Sequence, residues 1–225
     1  EGKKIQFLKK AIEYIELVKP RAYVPFAGTY VLGSRLSDLT ELRGVPSVEE
    51  ALVFLSKHVS DYAKGVYLGQ FDSLKVKSLE TLKAPKSYTK SYEEYLTDIS
   101  QRSFPHDSDE WNDDELPDLI VQASERFNAK AEQIGFTSNT MLVIQSEKII
   151  FNLKVNGQPK ILNETDVISE PFVKISVDHN LLHRLIRGPR FAHWNNAEIG
   201  SHLFFVRKPD HFERGLYHSL CFLHS

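Results

Sequence analysis

The sequence has one cysteine and one methionine, no apolar run long enough to cross a bilayer, and no excess of basic charge. Each absence excludes something. With Cys221 alone there is neither an intramolecular disulfide nor a thiolate zinc knuckle, which points to a reducing, cytoplasmic compartment. No stretch approaches the roughly 20 apolar residues of a membrane span, and Glu1-Gly2-Lys3-Lys4 leads into an amphipathic pattern rather than a signal-peptide core. A formal charge of -2 leaves no broad basic face for phosphates, so no nucleic-acid partner is expected. Phosphate-cradling loops and nucleophile elbows are missing too: Gly28 and Gly33 lack the lysine and spacing of a P-loop, and no Gly-x-Ser-x-Gly occurs. The 225 residues and their 41% apolar share suffice for one large or two modest domains with a proper core.

What is present groups into two units and a join. Residues 3–19 repeat apolar side chains at helical spacing (Ile5, Leu8, Ile12, Ile15, Val18), and Pro20 stops the pattern. A short buried strand follows over residues 22–26. Ser47-Val48-Glu49-Glu50 is a capping box that opens a second helix, and residues 66–68 read as another strand. The first unit is drawn as 1–83. Residues 84–113 form an acidic linker in which Tyr88, Tyr92, Leu96 and Ile99 predict one amphipathic helix. Its carboxylates Asp107, Asp109, Glu110 and Asp113 lack the glycine of a calcium loop. They are expected to be solvated, the segment 105–114 mobile and the first to be cut by a protease.

The second unit, 114–225, starts with a helix over 114–134 capped by Gly135. Strands follow at 141–144, 148–155 and 160–162, with Asn156-Gly157 as a type I′ hairpin signal. A further strand at 172–177, a helix through Leu181, Leu182, Leu185 and Ile186, and a strand at 203–206 come next. Asp210 and Glu213 then form a capping-box variant that opens a last helix. The expected fold class is therefore a partial α/β unit followed by an α+β domain, an antiparallel sheet covered by helices.

Polar chemistry is densest between residues 190 and 202. His193, Trp194, Asn195, Asn196, Glu198 and His202 offer imidazoles, an indole, amides and a carboxylate, a mix suited either to a ligand pocket or to a buried polar lock. The two asparagines fit the lock, whereas His193 and Trp194 fit an exposed or pocket position. Elsewhere, His179 and His183 are spaced i, i+4 as in zinc-holding helices, although Asp178 and His179 also suit a helix cap, the preferred reading. Cys221, among Leu220, Phe222 and Leu223, is a core residue.

One stretch supports a family resemblance. Arg21-Ala22-Tyr23-Val24-Pro25-Phe26-Ala27-Gly28-Thr29-Tyr30-Val31-Leu32-Gly33, with Arg43-Gly44-Val45-Pro46 beyond it, resembles the C-terminal half of metallo-β-lactamase-fold proteins. The branch it is most similar to holds CMP-N-acetylneuraminate hydroxylase-like proteins and ascorbate-6-phosphate lactonase-like hydrolases. In zinc-dependent members a histidine stands before the Gly-Thr pair, where this chain has Phe26, which cannot ligate zinc. The resemblance implies that Gly28, Thr29 and Tyr30 border the parent's site. It also implies that the His-x-His-x-Asp-His metal cluster lies in an N-terminal half absent from these residues. More weakly, the second unit resembles the sterol-carrier-protein-2-like fold.

The expected function is thus the C-terminal portion of a metal-dependent hydrolase-like protein acting on an ester, lactone or phosphoester. A divalent metal such as zinc is expected only in the intact parent, and no zinc in the chain itself. A small-molecule substrate and the missing half of the same polypeptide are the expected partners. The alternatives are a non-enzymatic module binding a small hydrophobic or sugar-like ligand, an oxygenase-type hydroxylase of a nucleotide sugar in the parent, and a structural or dimerising second domain.

Overall fold

The structure is a computed structural model that describes residues 2–26, 31–59, 61–69, 71–84 and 92–224. The chain forms two compact units, residues 1–102 and 103–225. The boundary falls within the expected 84–113 linker, so that its helix, Tyr92–Ser100, belongs to the first unit and the acidic run to the second, while residues 85–91, including Tyr88, lie outside the described residues.

In the first unit, α1 (Gly2–Val18) buries Leu8 and Ile15 and half-buries Ile12 from the predicted stripe, while Ile5 and Val18 are exposed. β1 (Ala22–Tyr23) pairs in parallel with β2 (Lys64–Gly65) over only two residues. The strands expected at 22–26 and 66–68 are thus shorter or displaced, and Val66 is buried just beyond the ladder. A 3₁₀ segment, Ser34–Arg43, ends at Gly44, whose φ of 67° is readily reached without a Cβ. α2 (Val48–Val59) starts with the predicted capping box: the Glu50 amide donates to Ser47 Oγ at 3.1 Å, and the Ser47 amide to Glu50 Oε2 at 2.8 Å. A hairpin of β3 (Ser73–Lys75) and β4 (Glu80–Leu82) carries too little apolar alternation for periodicity to find it. α3 (Tyr92–Ser100) completes the unit. The buried cluster under α1 and α2 is small: Ile15, Leu55, Val59 and Ala63.

The second unit is built on one five-stranded sheet. Its strands are β5 (Met141–Gln145), β6 (Ile150–Leu153), β7 (Lys160–Leu162), β8 (Phe172–Val177) and β9 (Leu203–Lys208), in the order β7-β6-β5-β8-β9. The expected antiparallel sheet is corrected here, because β5 and β8 run parallel while the other pairs are antiparallel. The reason is visible in β5, where Leu142, Val143 and Ile144 are all fully buried. A continuous apolar run suits the centre of a sheet covered on both faces, which is where parallel pairing is found. β8 instead alternates, burying Val173, Ile175 and Val177.

Helices α4 (Leu116–Gln133), α5 (His179–Arg187), α6 (Trp194–Ile199) and α7 (Arg214–Leu220) share one core with the sheet. α4 contributes Leu116, Ile120, Ala123 and Phe127 to it, at helical spacing. It ends as predicted at Gly135 (φ 63°): the Gly135 amide donates to Glu132 O and the Phe136 amide to Ala131 O, a Schellman motif. Two local readings are corrected. The Asn156-Gly157 turn closes through the Gly157 amide and Lys154 O, so Val155 and Asn156 are its central residues and no two-residue hairpin forms. Asn128 on α4 sets this geometry, accepting from the Asn156 amide and donating to Gly157 O. The second correction is at α7, where Glu213 makes no cap and instead accepts from Ser138 and Thr140 hydroxyls.

Candidate functional site: a histidine–aspartate centre in the second unit

The stretch rich in polar groups is mostly helix. His193 occupies the N-cap of α6, and Trp194 is its first residue. Trp194 is 0% exposed and belongs to the core, which corrects its expected pocket position. The amphipathic pitch of α6 explains it, since Trp194 and Ala197 share the inward face while Asn195, Asn196 and Glu198 are exposed. An outward face also removes the lock assigned to the two asparagines. His193 is exposed, its Nδ1 lying 3.2 Å from Nε2 of buried His224. The Trp194 amide donates to His224 Nδ1 at 3.2 Å, so His224 is neutral with its proton on Nε2. Burial pushes the His224 pKa down, with His193 and Arg126 adding to the effect. His202 faces Phe104 and His106, with ring centroids 4.6 and 5.5 Å away. These residues, with Leu181, Phe191, His193 and Asn196, line a shallow cleft. Gly28, Thr29 and Tyr30 lie outside the described residues, while Phe26 is 85% exposed at the edge of an apolar groove in the first unit.

The densest chemistry lies elsewhere, on residues for which the sequence favours capping or solvation over metal binding. Asp178 caps α5, accepting from the Leu181 amide at 3.1 Å. That leaves the imidazoles of His179 and His183, one turn apart and both buried, facing the acidic segment. Nε2 of His179 is 2.8 Å and Nε2 of His183 is 3.0 Å from the same atom, Asp113 Oδ1. Lys148 Nζ donates to Asp113 Oδ2 at 3.0 Å. The N–H groups of His179 and then His183, followed by the Lys148 ammonium, hold the Asp113 carboxyl far below the usual carboxylate range. Burial pushes His183 down, against the opposing pull of Asp113.

Around this centre the acidic segment is docked, contrary to the mobile linker expected from its composition. Arg184 clamps Asp109 through two nitrogens, at 2.5 and 2.7 Å, and Arg187 pairs with Glu115 at 2.5 Å. Trp111 lies over His183 with rings 11° from parallel, and the Arg187 guanidinium covers Trp111 at 4.4 Å. Two arginines and two imidazoles on one short helix thus organise a segment that has little apolar surface of its own.

Ser146, Nδ1 of His179 and Asp113 form a hydrogen-bonded chain, with Ser146 Oγ 3.0 Å from the imidazole. Nucleophilic work does not suit it. Ser146 is buried in the β5–β6 turn, where its oxygen also accepts from the Lys148 and Ile149 amides. Its chemistry is to orient the ring. Among the described residues, two groups place three metal-capable donor atoms within 4.8 Å of one another: Asp113, His179 and His183, and the looser His106, Asp107 and Asp178. No helix among the described residues is long and apolar enough to cross a membrane. Comparison with protein-family models, curated proteins and solved structures finds no match to this chain.

Proposed function

We propose that the chain is the C-terminal portion of a metallo-β-lactamase-fold, metal-dependent hydrolase-like protein, in which the first unit packs against a further α/β layer. One observation carries this reading. The first unit holds a two-residue parallel ladder and an apolar groove lined by Phe7, Ala11, Tyr23, Val24, Val45 and Leu55. Parallel strands occur almost only in sheets covered on both faces, and a ladder this short does not stand alone. The unit is therefore complementary to more strands and another apolar surface, as the resemblance of residues 21–46 implies.

The metal chemistry of that family does not fit the described residues of the first unit. Phe26 stands at the ligand position, and no group of three metal-capable side chains forms there among the described residues. Catalysis on an ester, lactone or phosphoester therefore belongs to residues beyond these, and a nucleotide-sugar hydroxylase is the alternative chemistry for the same parent. A cytoplasmic setting accompanies this reading, on the single cysteine. Reading the upstream coding sequence tests it. A His-x-His-x-Asp-His run, together with metal-dependent hydrolysis by the joined polypeptide, is expected; an unrelated upstream domain would end the proposal.

A second reading, a small-molecule binding module, is favoured by the cleft of Phe104, His106, Phe191, His193, Asn196 and His202, whose aromatic walls carry a few polar fixtures. Titration of the chain with sugar phosphates and short fatty acids, followed by shifts of the cleft histidine resonances, tests that reading. Unshifted resonances would discard it.

A further inference from the structure

The two imidazoles of α5 aim at one carboxylate oxygen, and more converges there than docking requires. We propose that Asp113, His179 and His183 form a site for one divalent transition-metal ion of the zinc class, held by two imidazole Nε2 atoms and the carboxylate Oδ1. This goes beyond the hydrolase reading, whose metal belongs to other residues, and it reverses the expectation that the chain itself carries no zinc.

The donor set is the first reason. Two histidines and a carboxylate are ordinary ligands of zinc and its neighbours, and three protein ligands leave a fourth position for water. Geometry is the second. Ligand atoms around an ion at about 2.0–2.2 Å stand roughly 3.3 Å apart in a tetrahedron. Both Nε2 atoms are already 2.8–3.0 Å from Oδ1, and all three donors are within 4.8 Å of one another. Side-chain adjustments of a few tenths of an ångström open the space. The Asp113 side chain is 42% exposed, which provides an entry path. Lys148 holds Oδ2 and leaves Oδ1 to the ion.

The surroundings are the third reason. Ligation at Nε2 moves each imidazole proton to Nδ1. For His179 that atom faces Ser146 Oγ at 3.0 Å, and the hydroxyl can accept from it by yielding one of its long amide contacts, at 3.3 and 3.4 Å, so an outer partner for the ligating ring is within reach. A lock without an ion explains less. The segment is already held by the Arg184–Asp109 and Arg187–Glu115 pairs, and one imidazole would satisfy Asp113. His183 is instead fully buried with its Nε2 on the same carboxylate oxygen, a second imidazole that docking does not require and that a shared ion does.

Calorimetric titration of the intact, chelator-stripped chain with zinc chloride tests the proposal, with the absorption of the cobalt(II) form as a second readout. One ion per chain is expected, with an imidazole-ligated cobalt spectrum and a melting temperature raised by zinc. Ser146→Ala should weaken binding about tenfold, as expected for an outer partner. His179→Ala and His183→Ala should weaken it further. Asp113→Asn separates ligation from folding: its amide oxygen can still accept both imidazole N–H groups although the Lys148 contact is lost, so the metal-free chain should fold with a modestly lower melting temperature while zinc affinity falls by more than tenfold. Absence of zinc binding to the wild-type chain, binding unchanged in Asp113→Asn, or loss of binding on His193→Ala instead would each overturn the assignment.

Discussion

Trp194 and its neighbours show how far residue type alone misleads. An indole beside two asparagines and a glutamate has the composition of a pocket, but helical pitch decides which of them turn inward. With the ring fully buried, Trp194→Ala should cost about 3–5 kcal/mol, whereas Asn195→Ala and Asn196→Ala, on the exposed face, should stay within about 0.5 kcal/mol. Thermal melts of the three variants check this; destabilisation by either asparagine change would restore the lock. His224 adds a pH effect whose sign is set by burial. Its pKa is lower in the folded chain than the ordinary 6.5, so the unfolded chain binds the extra proton first. The stability it contributes is complete above 6.5 and is lost as the pH falls below that value. His224→Asn, which can still accept from the Trp194 amide, should flatten the decline of melting temperature with acid relative to wild type, and an unchanged slope would contradict the assignment.

Among the elements, those specified by neighbouring residues were legible and those specified across the chain were not. The Ser47–Glu50 capping box and the Gly135 cap depend on side chains within a few positions, and both form as read. The Asn156-Gly157 turn failed because Asn128, on a helix far back in sequence, supplies its hydrogen bonds. The acidic segment failed in the same way. Composition predicts solvation, but α5 presents Arg184, Arg187, His179 and His183 to it, and no local signal announces that a carboxylate will meet an arginine about 75 residues away. Arg184→Ala should leave Asp109 without its main partner, cost about 1.5–3 kcal/mol, and make residues 105–112 the first site of limited proteolysis. Early cleavage there in the wild-type chain would show that the docking is not maintained. Arg184 also holds the Asp109 carboxyl below the ordinary value of 3.8, so this contribution is complete above that pH and is lost as the pH falls below it, towards the lower value of the folded chain.

At the scale of the whole molecule the two units differ in how well each buries its own apolar surface. The second has one core running from Leu116 to Leu223, centred on a strand buried on both faces. The first has a cluster of Ile15, Leu55, Val59 and Ala63, a two-residue parallel ladder and an open groove, with Phe7, Tyr14, Leu17 and Phe26 exposed. Its layering was readable in the sequence as helix feeding strand; its open groove was not, because periodicity reports which face is apolar and not what covers it. Amide hydrogen exchange of the chain tests the central claim, that the first unit awaits a further layer. Amides of α4, β5 and β8 should exchange slowly, near the limit set by global unfolding, while those of α1, α2 and the β1–β2 ladder exchange orders of magnitude faster. Equal protection of the two units would show that the first is already closed and would contradict the account.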